Sequence, residues 1–183
     1  MLEAAGVPFE TVDADFDEDG VKASLRAQGS GAAELALGLA REKARAVNAA
    51  ADDVVLGSDQ TLELDDGIML DKPTSKEELE QQLRRLSGRT HKLHSAAALV
   101  QGGEQVWSAI KTVEMHVREL GPGFIRDYVD REFATVRWSV GGYHVEGRGA
   151  QLFERIDGSH FAVQGLPLLP LLGALRQRGM LPA

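Results

Sequence analysis

Residues 32 to 73 set an Ala- and Leu-rich helical stretch directly ahead of an apolar β run, and that succession restricts the fold more than any other part of the chain. In AAELALGLAREKARAVNAAA, Leu35, Leu39, Ala40, Ala44 and Val47 fall on one face at helical spacing. The pattern predicts a helix over 32–51 that stops at Asp52-Asp53. VVLG follows as a buried strand, and the run turns polar at Ser58-Asp59-Gln60. TLEL, the turn Asp65-Asp66-Gly67 and IML read as a hairpin, after which Lys72-Pro73 stands alone. A helix leading into a strand and then a hairpin calls for helices laid on a sheet, hence an α/β chain.

The remaining segments extend this pattern. MLEAAG reads as a last helical turn closed by Gly6, VPFETVDA alternates as a strand, and 18–28 is a weak helix. Thr74 or Ser75 stands at capping-box distance from Glu77 and Glu78, ahead of the stripe Leu79, Leu83 and Leu86. Two β runs surround Gly102-Gly103, and Pro122 starts a helix carrying Phe124, Ile125, Tyr128 and Val129. A glycine-punctuated β region leads to the closing helix LPLLPLLGALRQRG. The expected architecture is a mixed, partly antiparallel central sheet with flanking helices. A length of 183 residues suits one domain, and two lobes sharing one sheet fit it as well.

Composition excludes several classes of function. There is no cysteine, so no disulfide framework, thiol nucleophile or thiolate metal site is available. A net charge of −8 disfavours stable nucleic-acid binding, which draws most of its affinity from neutralised phosphates. It leaves room for a small phosphorylated ligand held by a few lysines and a divalent cation with carboxylate ligands. The first residues do not read as a secretory signal, and Pro167 and Pro170 interrupt the most apolar late stretch, so a cytoplasmic protein with no membrane partner is expected.

Asp59 is the central candidate. A carboxylate at the carboxyl end of a buried strand either holds a cation and orients water or simply caps the turn. Lys72, kept extended by Pro73, is either a phosphate contact or a solvated turn residue. Lys43, spaced with Arg41 and Arg45, reads as a surface cation. The run Asp13, Asp15, Asp17, Glu18 and Asp19 offers oxygen ligands without the pattern of a calcium loop. His91 and His94, three apart on a strand, point to opposite faces and do not share a metal. Gly141-Gly142 and Gly147-x-Gly149 flank Glu146, outside the strand–loop–helix setting of a dinucleotide fingerprint. This chemistry points to a phosphate-ester or nucleotide site assisted by a metal.

Taken in order, LAREKA (39–44), VLGSDQTL (55–62), DKP (71–73), LSGRTH (86–91), Tyr128-Val129, YHVEGRGAQLFERIDG (143–158) and GLPLLPLL (165–172) resemble the Maf family of nucleoside triphosphate pyrophosphatases, over nearly the whole chain. The resemblance implies an inosine triphosphatase-like fold with two lobes around a cleft. It also implies hydrolysis of the α–β phosphoanhydride with Mg²⁺ or Mn²⁺. By motif, Asp59 becomes the acceptor of the water's proton or a metal ligand, with Glu18 assisting metal or water. Lys43, Lys72, Gln60 and Glu146 are assigned to the substrate. Ser58-Asp59-Gln60 and Glu146 look more like the branch acting on 7-methyl-GTP. The family's Ser-x-Ser-x-Arg-Arg loop has no counterpart in 1–183, which is expected as a single Maf-like domain; either the start has been placed too late or this version lacks the amino-terminal strand and phosphate loop. The rival expectation is a nucleotide-binding or cell-division-linked protein without turnover, and a homodimer is compatible with either.

Overall fold

A computed structural model describes residues 1–182. Five strands, β1 (Val54–Leu64), β2 (Met69–Leu70), β3 (Thr90–Gln101), β4 (Glu104–Val117) and β5 (Phe153–Asp157), hydrogen-bond in the order β2-β1-β3-β4-β5. Helices α1 (Glu18–Ala27), α2 (Ala32–Arg45), α3 (Lys76–Leu86), α4 (Pro122–Val136), α5 (His160–Val163) and α6 (Leu168–Gln177) flank the sheet segments. Pairing is antiparallel at β1/β2 and β4/β5, and β3 and β4 form a hairpin closed by Gly102-Gly103. The expected α/β fold is therefore present, with its antiparallel part seen in these pairs. The chain divides into two compact units: 1–60, 95–111 and 159–183 make the first, and 61–94 and 112–158 the second.

In the first unit, α2 buries Leu35, Ala36, Leu39, Ala40 and Ala44, all within the predicted stripe or beside it. Each fully buried Leu contributes about 1.5–3 kcal/mol. Helix α2 ends at Arg45 rather than at 51. The reason is local: the Ala50 N–H donates to the Asp53 carboxylate while the Asp53 N–H donates to the Ala50 carbonyl. That turn competes with further helix. Helix α6 lays Leu168, Leu171, Ala174 and Leu175 on Ala97 and Leu99 of β3. Residues 7–14 form no strand, against expectation. Val7 packs on the α6 cluster, while Phe9 and Val12 are exposed. Alternation alone does not make a strand when no neighbour takes its backbone groups.

In the second unit, Ser75 Oγ accepts from the Glu78 N–H at 3.1 Å, and the Glu78 carboxylate returns to Thr74 N at 2.8 Å. Leu79, Leu83 and Leu86 are buried as the stripe predicts. Tyr128 of α4 donates its hydroxyl proton to the Gly142 carbonyl. His91 meets the Tyr143 hydroxyl at 2.7 Å, whereas His94 meets Thr112 Oγ1 and Glu63 Oε2, so the two histidines have separate partners as expected. Among the described residues no helix is long and apolar enough to cross a membrane.

Candidate functional site

Asp59 lies in the middle of β1 rather than at its end. The polar step at Ser58-Asp59-Gln60 does not terminate the strand, because Thr61, Leu62 and Leu64 resume burial beyond it. Strand alternation puts Gly57 and Asp59 on one face and Ser58 and Gln60 on the other. On the first face lies α2. A β-carbon at Gly57 would run into the Ala40 carbonyl oxygen and stand 2.9 Å from Ala44 N. Glycine at 57 thus lets helix and strand backbones touch, and the neighbouring turn of α2 delivers Lys43 to Asp59.

The Lys43 ammonium donates to Asp59 Oδ1 at 2.6 Å and lies 2.9 Å from Glu18 Oε2. The spacing with Arg41 and Arg45 pointed to a surface cation. The structure corrects that, since the Lys43 side chain is 26 % exposed and turned onto two carboxylates. Burial alone would pull its pKa down, but Asp59 and then Glu18 overcome that pull and hold it above the ordinary lysine value. Glu18 begins α1, whose first turn is fixed by Asp17 accepting from the Gly20 N–H. Phe16 adds a ring 5.9 Å from the ammonium. Asp17 therefore orients the helix end that presents Glu18.

On the opposite face of β1, the Gln60 carboxamide nitrogen stands within hydrogen-bond distance of Ser95 Oγ (2.7 Å) and the carbonyls of Ala162 (2.9 Å) and Val163 (3.1 Å). Ser95 Oγ also donates to the Ala162 carbonyl. Gln60 is thereby a tether between β1 and α5, and its nitrogen is committed to the protein.

The structure brings Asp59, Glu18 and Lys43 together in the first unit. Lys72 and Glu146 belong to the second. Lys72 sits in the 71–73 connection after β2. Glu146 lines a cavity of about 320 Å³ with Glu132, Thr135, His144 and Arg148. The wall folds back on itself at Gly149, where a β-carbon would stand 2.9 Å from the His144 nitrogen. Arg148 Nη2 holds the Asp127 carboxylate at 2.5 Å, while its buried Nη1 has no hydrogen-bond partner. Gly57, Glu132, His144 and Arg148 were not legible as site residues. The Gly147-x-Gly149 punctuation around Glu146 was the one signal for this cavity.

Asp59 and Glu18 converge on a single cationic point, and two hard carboxylate oxygens so placed fit Mg²⁺ or Mn²⁺. A second donor group, Glu114, His116 and Asp157, has ligand atoms within 4.8 Å of one another. The Arg155 guanidinium already lies 3.0 Å from His116 Nε2 and 2.9 Å from the Asp157 carboxylate. A guanidinium of the protein already occupies that cluster, and we assign no metal to it.

Residues 1–178 match the family described as "Maf-like protein". The chain is 45 % identical over 183 residues to the nucleoside triphosphate pyrophosphatase of Sphingopyxis alaskensis, covering 100 % of this chain and 92 % of that protein. It is 43 % identical over 184 residues to the 7-methyl-GTP pyrophosphatase of Rhizobium meliloti, with coverage of 100 % and 92 %. The nucleoside triphosphate pyrophosphatase of Granulibacter bethesdensis is 42 % identical over 178 residues, with coverage of 97 % and 90 %.

Proposed function

The chain belongs to the Maf-like protein family, and on that premise we propose that it hydrolyses the α–β phosphoanhydride of nucleoside triphosphates, releasing a nucleoside monophosphate and pyrophosphate. The observation that carries the assignment of roles is the Lys43–Asp59–Glu18 group, two carboxylates and a cation held at hydrogen-bond distance by a strand and two helices. Asp59 takes the proton as water bonds to phosphorus and the bridging P–O bond breaks. Lys43 and Lys72 hold phosphate oxygens. Asp59 and Glu18 would hold a divalent cation, Mg²⁺ or Mn²⁺, which would supply neutralisation of phosphate charge. Positioning and charge neutralisation are most of what phosphoryl transfer needs.

Within that activity, the substrate is a modified nucleotide such as 7-methyl-GTP. Relatives at about the same identity carry both the general and the 7-methyl-GTP names, so the finer reading rests on the residues. Glu146 and Glu132 place two carboxylates on one cavity, which suits a base carrying positive charge, as 7-methylguanine does. Gln60 serves the substrate by fixing the strand beside Asp59.

The test is pyrophosphate release over a panel of canonical and methylated triphosphates, with and without EDTA. Release that needs Mg²⁺ or Mn²⁺ and is fastest on 7-methyl-GTP is the expected result. Nucleotide binding without release on any member of the panel would overturn the enzymatic reading.

A further inference from the structure

Lys43 has a property that phosphate binding alone does not require. Its ammonium stands between the two carboxylates assigned to the cation, 2.6 Å from Asp59 and 2.9 Å from Glu18, with the Asp59 side chain only 13 % exposed. Two partly buried carboxylates repel one another unless a cation lies between them. Lys43 supplies that cation from the protein itself. A divalent ion entering the same point would meet a resident positive charge, and it could bind only if that charge moved.

We propose that Lys43 is a resident counter-ion that occupies the Asp59–Glu18 pair until nucleotide phosphates draw the ammonium away, so that divalent cation and nucleotide bind cooperatively. The proposal rests on the functional reading above for the identity of the anion. Lys43 is a long, flexible side chain anchored on α2, and a triphosphate offers its ammonium more negative charge than the two carboxylates do. Once the ammonium turns to phosphate, Asp59 and Glu18 lose the positive charge that lay between them, which favours a divalent cation at that point. Coupling of this kind is reciprocal: the cation tightens nucleotide binding by the factor by which nucleotide tightens cation binding. The frame is suited to this exchange because neither carboxylate has to move. Asp59 is fixed inside β1, and Glu18 is fixed in the first turn of α1 by the Asp17 cap.

The experiment is Mn²⁺ titration of the full chain followed by paramagnetic resonance of free Mn²⁺, without nucleotide, for the parent protein and for Lys43→Met, Lys43→Gln and Lys43→Arg. Melting curves establish that each variant is folded, and the Met and Gln forms stand in for one another. Lys43→Met and Lys43→Gln are expected to bind Mn²⁺ about tenfold more tightly than the parent, and Lys43→Arg as weakly as the parent. Adding Asp59→Asn to Lys43→Met should remove the gain. A second arm adds a non-hydrolysable α,β-methylene triphosphate to the parent and to Lys43→Met. The nucleotide should tighten Mn²⁺ more in the parent, a comparison in which chelation by free nucleotide cancels.

Unchanged or weaker Mn²⁺ binding in both neutral variants would overturn the proposal, as would a gain that survives Asp59→Asn. The nucleotide-free titrations separate this idea from the enzymatic one. Tightening in Lys43→Met without pyrophosphate release by the parent would refute the pyrophosphatase and leave the counter-ion in place. Release without tightening would refute the counter-ion alone.

Discussion

The Lys43 ammonium stands 2.6 Å from Asp59 Oδ1, although sixteen residues and a change from helix to strand separate them in the chain. Gly57 makes the meeting geometrically available, since α2 rests on the strand where no side chain intervenes. The functional assignments therefore depend on three residues from three elements: Glu18 of α1, Lys43 of α2 and Asp59 of β1.

Asp59→Asn keeps the shape of the side chain and removes its charge and its basicity. Turnover should fall by about 10²- to 10⁴-fold, while the melting temperature stays within a few degrees of the parent's. Steady-state pyrophosphate release together with a thermal melt reads both. An active Asp59→Asn enzyme would falsify the role given to this carboxylate.

Gly57→Ala inserts a methyl group between β1 and the Ala40 carbonyl. Overpacking of this kind costs about 1–3 kcal/mol, and here it also pushes α2 away from Asp59. Urea denaturation should show the loss of stability, and kcat should drop further than Leu39→Ala lowers it, although Leu39→Ala costs a comparable or larger 2–5 kcal/mol. Equal kcat in the two variants would show that Gly57 acts on stability alone.

Gln60→Leu removes the tether to Ser95, Ala162 and Val163. Ser95 and two carbonyls lose a donor, at a cost of about 1–3 kcal/mol. The midpoint of denaturant unfolding should fall accordingly, with protection of the α5 amides against hydrogen exchange reduced first.

His91 is held down to about 3 by burial, with a smaller push from His116, against an ordinary value of 6.5. Its folded value lies below its unfolded one, so the unfolded chain binds the proton first. This contribution to stability is complete above pH 6.5 and is lost as pH falls toward 3. The slope is about 1.4 kcal/mol per pH unit inside that window. Urea titrations at successive pH values should show this slope in the parent and a shallower one in His91→Leu. Parallel curves would place the acid sensitivity elsewhere.

Glu146→Gln removes one of the two carboxylates lining the cavity of the second unit. The ratio of kcat/KM for 7-methyl-GTP to that for GTP should fall about tenfold, with little change in the GTP value itself. An unchanged ratio would remove the cavity from base selection.

Much of this was legible in the chain. Helix α2, the α3 stripe with its cap at Ser75, and the hairpin around Gly102-Gly103 follow from periodicity and turn chemistry, because each is decided by near neighbours. The position of Asp59 within its strand was not, since a polar triplet inside a strand looks locally like the strand's end. The orientation of Lys43 was hidden for a related reason. Spacing shows which helix face a residue belongs to, and it does not show that a glycine fourteen residues later will bring that face against a strand. Residues 7–14 failed in the opposite sense, because their alternation was real but the sheet held no neighbour for them. The cavity around Glu146 is built by backbone folding back at Gly149, which a pattern of glycines signals without saying what it encloses.

Asp59 rides on the interior of an eleven-residue strand, and this has a practical consequence for redesign. The carboxylate's place is set by sheet register, so a redesign has to leave 54–64 and the segments packed on it untouched, and 140–152 is one of these, because Gly141 closes on Leu62 of the same strand and Tyr143 is buried against His91.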